Sequence, residues 1–273
     1  MTQLSTTTSA NFIPEVWSRD LIRAVRSSLV LANLVRRYDR DVAKKGDIIH
    51  VPKVSNLTAN DKVQGVEVSP QAPTEGEVQI TVDKHKEASF FLQDIVKVQA
   101  DYDLMAEYTN AAGYAVAKVI DDDLAALASG FSQTFGTYNT AITTDVVLDS
   151  VEQLDDNDVP QQDRNFVFRP DVKRDLLDLS TYTSGDFVDG RPVRTGQVGM
   201  LYGVDTHMTT NIVKTGTNTN NMLFQKDALA LALQKAPRVQ SEYSLKDLAQ
   251  LVVTDTLYGT KEMRDEFGIL VKT

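Results

Sequence analysis

"KKGDIIHVPKV", Lys44 to Val54, and "GEVQITVDKHK", Gly76 to Lys86, decide how this chain folds. In the second stretch Val78, Ile80 and Val82 alternate with Gln79, Thr81 and Asp83, the period of a strand with one buried face. The first stretch reads as its partner strand. Between them lie some twenty residues rich in Ser, Asn, Gln, Pro and Gly, ending in the turn-rich "SPQAPTEGE" and offering no core of their own. A lone two-stranded ribbon is only marginally stable in water. The ribbon must therefore fold back on its own domain or lie on a neighbour.

The rest of the composition narrows what such an arm serves. With 273 residues, 42% of them hydrophobic, the chain can bury one large core or two modest ones. It has no cysteine, which excludes disulfides, thiolate zinc sites, iron–sulfur clusters and cysteine nucleophiles. There is no run of eighteen apolar residues, and the opening "MTQLSTTTSA" lacks the pattern of a secretory signal. These features lead to the expectation of a protein made in a cytoplasm, with no membrane partner. The net charge of −10 argues against a dedicated nucleic-acid reader. Charge is uneven, however: residues 1–45 hold eight basic and four acidic side chains, so the remainder carries −14. An arm that is basic and a body that is acidic attract one another, within a subunit or between subunits; a solvated helix face is the alternative.

Near the start, "NFIPEVWSRDLIRAVRSSLVLANLV" places Pro14 in a first helical turn and Trp17, Leu21 and Val25 at helical spacing. Trp17, the single tryptophan, reads as the anchor of this arm. After the ribbon, "DYDLMAEYTNAAGYAVAKVIDDDLAALASG" predicts a helix from an Asp101 N-cap to a stop at Gly130. It would be about 43 Å long, against a radius of gyration of about 19 Å for a compact chain of this size. Gly113 in its middle points to close packing there. From Asp145 helices and strands alternate: "TDVVLDSVEQLDDNDVP", "RNFVFRP", "PDVKRDLLDLS", a Gly-rich loop, "MLYGVDTHMTT", "VKTGTNTNNM" and "LFQKDALALAL", the last read as one strand. The end of the chain reads as strands broken by a turn at Tyr258–Gly259, with Val252, Val253, Leu257, Ile269 and Val271 packing on the long helix.

No chemistry emerges from the motifs. His50, His85 and His207 stand apart, without metal or acid–base spacing. Asp121, Asp122 and Asp123 point about 100° apart on a helix and cannot converge on one ion. They read as a solvated face, or as one that pairs with the basic arm. "GQVGMLYG" matches no phosphate-binding pattern, and no serine sits in a nucleophile elbow.

The order of parts, with "FIPEVWSRDLIRAVRSSLVLANLVRRYD", "KKGDIIHVPKV", "GQVGMLYGVDTHMTTNI" and "LYGTKEMRDEFGILVKT" in sequence, resembles the major capsid proteins of tailed double-stranded-DNA bacteriophages, the Hong Kong 97 fold. The resemblance implies an α+β fold with an N-terminal arm (1–41), an extended β-hairpin loop (42–90), a spine-helix peripheral domain (91–139 and 236–273) and an axial α/β domain (140–235). It implies a structural protein without catalysis, metal or cofactor. Its partners would be other copies in hexamers and pentamers, a portal, a decoration protein and packaged double-stranded DNA, held non-specifically. Because the chain starts almost directly at the arm helix, any scaffolding protein is expected to be separate. The resemblance further implies that the extended loop lies across the neighbouring subunit. Trp17, Ile49, Val51, Val78, Ile80 and Val82 are then the expected inter-subunit contacts, and the protein sits in the virion after assembly in the bacterial host cytoplasm. An encapsulin-type compartment, which shares the fold, and a soluble enzyme built on the α/β lobe are the competing readings.

Overall fold

The ribbon is present: strand β2 (Ile48–Val54) pairs antiparallel with β3 (Glu75–Thr81), Val51 facing Val78 and Ile49 facing Ile80. The computed structural model describes residues 29–39, 48–54, 57–62, 64, 65, 67, 68, 70–72, 75–95, 104–179 and 199–273. The Trp17 helix, the Asp101 cap and most of the Gly-rich loop fall outside them. In chain order the other described elements are helix α1 (Leu31–Leu34), β1 (Arg36–Arg37), β4 (Lys84–Gln93), α2 (Leu104–Ala126), β5 (Thr134–Gly136), α3 (Thr144–Asp156), β6 (Arg164–Phe168), α4 (Pro170–Asp178), β7 (Asp205–Met208), β8 (Lys214–Thr215), β9 (Asn218–Gln225), β10 (Leu229–Ser244), β11 (Ala249–Glu262) and β12 (Gly268–Lys272).

Four strands, in the order β1-β10-β11-β4, form a sheet against α2. Alternate residues meet the helix: Leu92 and Val252 are buried, and the Phe90 ring lies 5.5 Å from that of Tyr108. The 23 residues of α2 span about 35 Å, and a 3₁₀ turn, Leu127–Gly130, ends it where the sequence placed its stop. Its buried stripe is Ala112, Val116, Ile120 and Leu124, whereas Tyr108, Ala111 and Ala115 face outward. Gly113 meets nothing within 4 Å of an added Cβ, so it is not a close-packing point in the subunit. Nor is there a turn at Tyr258–Gly259. Strand β11 runs straight through, Gly259 pairing with Ala232. The glycine serves a close approach, because a Cβ there would collide with the Thr81 carbonyl.

The second sheet has the order β5-β12-β9-β6-β7, with β8 beside β9. Strand β6 is buried along its whole length, as a central strand requires. Helix α3 begins where the Thr143 hydroxyl accepts the Val146 N–H at 3.4 Å, and α4 begins at Pro170. Val147, Leu154, Val172 and Leu176 from these helices pack on Phe166, Phe168, Ile269 and Val271. Ile269 and Val271 of the final strand β12 thus pack here and not on the long helix, which only the opposite face of that strand reaches through Leu270. "LFQKDALALAL" is also divided: β9 ends at Gln225, a 3₁₀ turn holds Lys226–Ala228, and β10 starts in the other sheet. Apolar alternation continues across that turn, which hides the change of sheet.

The two sheets share one core at the C-terminal third of α2. Ile120, Leu124, Ala125 and Ala128 meet Leu31 and Val35, Met222 and Phe224 of β9, Leu229 and Leu231 of β10, and Leu270 of β12. Of the three aspartates beside it, only Asp122 is solvated. Asp121 is fully buried, and its carboxylate accepts the backbone N–H groups of Val30 (2.7 Å), Leu31 (3.4 Å) and Ala32 (3.0 Å). Asp122 pairs with Lys118 one turn away at 3.3 Å. Asp123 accepts the Tyr258 hydroxyl at 2.6 Å and the Lys84 ammonium at 3.1 Å. Asp121 therefore caps α1 and fixes residues 30–39, which continue through β1 on Ala230 and Leu231 and the Asp39 carboxylate on the Leu233 N–H at 2.9 Å. Replacing Asp121 by Ala leaves these donors buried without an acceptor. The expected loss is about 2–4 kcal/mol, measured by urea unfolding of the unassembled subunit, with the far-UV spectrum retained.

Candidate assembly surfaces

The base of the ribbon is covered by its own chain. Ile80 is 0% and Val82 6% exposed, packed on Ala230 and Ala232 of β10 with Leu257, Met263 and Tyr38 around them. The expectation that a neighbouring copy covers this pair is corrected. Strand β3 ends at Thr81 and β4, an edge strand of the four-stranded sheet, begins at Lys84, so the ribbon leaves the sheet with its inward face already seated. Ile49, Val51 and Val78, further out, are half-buried. Trp17 lies outside the described residues.

The outer half of the ribbon has a different environment. Val54, Leu57 and Val68 are 82%, 65% and 71% exposed. This part is nevertheless organised: the Gln71 amide nitrogen donates to the Thr58 carbonyl at 2.6 Å, and its oxygen accepts the Thr58 N–H at 3.1 Å. The side chain substitutes for a ladder rung where the strands separate. On β2 and β3, His50 Nδ1 lies 2.9 Å from Glu77, which also accepts from Gln79 at 2.5 Å. Between the ribbon and the body lies a groove of about 230 Å³ lined in part by Val51, Val78, Tyr38 and Met263.

A second exposed apolar surface lies at the far end of the four-stranded sheet. Phe91, Ile95, Leu245 and Leu248 are exposed there, Leu248 with a φ of +47°. The Leu248 carbonyl accepts the Asp94 N–H at 3.0 Å, and the Tyr243 hydroxyl donates to Asp94 at 2.6 Å. Large apolar side chains left exposed together mark candidate protein contacts. On the face of this sheet away from α2, Asp255 accepts two bonds from Arg238, at 2.7 and 3.1 Å, and lies 3.2 Å from His85. Chiefly through the Arg238 bonds, opposed by burial and helped by His85, its carboxyl is lowered to about 2. Burial, with the bond to Asp123, raises the Tyr258 hydroxyl far above the usual phenol range. Among the described residues no three His, Asp or Glu side chains converge as metal ligands, and no helix is long and apolar enough to cross a membrane.

Neither a protein-family model nor a curated protein matches the chain, but solved structures do. A structure of Mycobacterium phage Che8 superposes with a TM-score of 0.84 at 26% identity, covering 96% of this chain and 97% of that one. The chain has the Hong Kong 97 fold of tailed-phage capsid proteins. The capsid structure of cyanophage P-SCSP1u matches at a TM-score of 0.81 with 17% identity, over 97% of this chain and 93% of that one. The capsid of a native GTA particle matches at 0.74 with 13% identity, over 99% of both chains. In this chain the separation of ribbon base from ribbon tip is the central geometric fact. The alternation of Val78, Ile80 and Val82 could not reveal it, because period says that a face is covered and not by what.

Acid should report on the Asp255 pair. Its carboxylate is favoured in the fold, so the stabilisation is complete above the unfolded value of about 3.9 and is lost as pH falls through about 2. Asp255→Asn should flatten the fall in urea midpoint between about pH 4 and pH 2, measured on the unassembled subunit against the wild type.

Proposed function

We propose that this capsid protein assembles as hexamers and pentamers into a closed icosahedral shell around double-stranded DNA, each ribbon reaching over a neighbouring copy. Its place is the virion shell. The observation that carries the reading is the ordered outer ribbon, with Val54, Leu57 and Val68 exposed, on a chain that matches capsid structures from end to end. Covering such residues gains roughly 25 cal/mol per Å² before ordering costs. Repetition around a shell converts modest contacts into avidity. The groove-facing Val51 and Val78, with Ile49 and Trp17, are proposed to contribute at the same boundary. In a chain of net charge −10, the shell interior would hold packaged DNA loosely, because each added cation–phosphate contact strengthens binding. A separate scaffolding protein, a portal and a decoration protein are the proposed partners. The GTA match favours a second reading, a gene-transfer-agent shell, and the contents of the particle distinguish it.

Sedimentation of the recombinant chain, followed by negative-stain microscopy of the fast fraction, tests this. Closed shells, or capsomers that close when scaffold is supplied, are expected. Val54→Ser with Leu57→Ser and Val68→Ser should leave the subunit as stable as wild type within about 0.5 kcal/mol and abolish shells. Ile80→Ala, by contrast, should cost the subunit about 2–5 kcal/mol. Normal assembly of the triple variant would contradict the proposed role of the ribbon.

A further inference from the structure

The groove at the ribbon base is lined by both apolar and cationic side chains. Val51, Pro52, Val78 and Met263 line it together with the cations Arg36, Lys53 and Arg264 and one anion, Asp227. Two of these cations are partly balanced, Arg36 by Asp227 at 2.9 Å and Lys53 by Glu266 at 3.8 Å. The Arg264 guanidinium lies over the Phe267 ring, 4.9 Å from its centre, and the groove keeps a positive excess on a chain of net charge −10.

Helix α3 presents the complementary surface. Asp145, Asp149, Glu152 and Asp156 recur at four-, three- and four-residue steps, so they form one stripe about 16 Å long. All four are exposed, none has an ion-pair partner among the described residues, and the helix contains no Lys or Arg. Like charges one turn apart weaken a helix, and acids in its last turn oppose its dipole. Beyond Asp145, whose place in the first turn suits the dipole, the stripe therefore does not serve the stability of α3. Leu148, 40% exposed, sits beside it, one turn from both Asp145 and Glu152. Groove and stripe are both open in the same subunit, so they do not meet within one chain.

We propose that the groove receives the α3 face of a second copy, Leu148 entering over Val51 and Val78 while the carboxylates meet Arg36, Lys53 and Arg264. The inference rests on the self-assembly reading above and names the surface that the ribbon base engages. Because two different patches meet, the contact is heterologous, the type that closes rings. It also gives the acidic stripe a role in choosing register, since opposite charges fix orientation and like charges reject wrong pairings.

Charge reversal in the full-length chain tests it, read by shell yield in sedimentation and by thermal unfolding of the subunit. Lys53→Glu with Arg264→Glu, or Asp149→Lys with Glu152→Lys, should each lower shell yield by about tenfold or more without lowering the subunit Tm. All four substitutions together should restore assembly. If Arg264→Glu lowers the Tm, Lys53→Glu against Asp149→Lys is the same test at exposed positions. Wild-type yield from either reversed pair overturns the inference, and so does a combined variant no better than its parents. Failure of the wild-type chain to assemble, even with scaffold, would instead overturn the assembly reading itself and this contact with it.

Discussion

One buried carboxylate holds the subunit's parts in register. Asp121 sits on α2 where both sheets share their core, and it accepts three successive backbone N–H groups from the segment entering α1. A charge so placed is tolerable only because its oxygens are satisfied. With that segment fixed, Leu31 and Val35 fill the core, β1 joins β10, and Asp39 extends the pairing to Leu233. Two residues further along, Asp123 ties the same helix to β11 through Tyr258 and to β4 through Lys84. Strand β4 is the continuation of the ribbon. The N-terminal segment, the ribbon and the four-stranded sheet are thus all referred to one turn of helix.

This arrangement explains the division of the ribbon. Its base is part of the subunit core, with Ile80 and Val82 seated on β10, while its outer half holds its shape through Gln71 and Thr58 and leaves its apolar residues open. A subunit of this kind can fold before it meets a neighbour and still present a pre-shaped surface. Preorganisation lowers the ordering cost of association. It also keeps folding separate from assembly, which suits a shell built from many copies of one chain.

The sequence made the ribbon, the long helix, α3, β6 and α4 legible because each has a clean period bounded by Gly, Pro or an N-cap. What it concealed were choices between surfaces. Ile269 and Val271 are as apolar as Val252, but only tertiary packing assigns the first two to the second sheet. Gly259 reads as a turn residue, yet it permits the close passage of Thr81. Asp121 reads like its neighbours Asp122 and Asp123, and no local pattern distinguishes a carboxylate that caps a segment 90 residues away. Among the expected contact residues, Val51 and Val78 line an open groove, whereas Ile80 and Val82 do not reach the surface. Among the described ribbon residues, the exposed Leu57 and Val68 lay in the stretch that the sequence marked as a polar tip, and the exposed Val54 at the end of the strand before it.

The ribbon is finished at its base and, in the proposed assembly, unfinished at its tip until a neighbour arrives. Hydrogen–deuterium exchange of free subunits and of assembled shells measures this directly. The account predicts that amides of residues 78–82 are protected equally in both, and that amides of residues 54–72 gain protection only in the shell. Equal protection of the tip in the free subunit, or a base that becomes protected only on assembly, would contradict it.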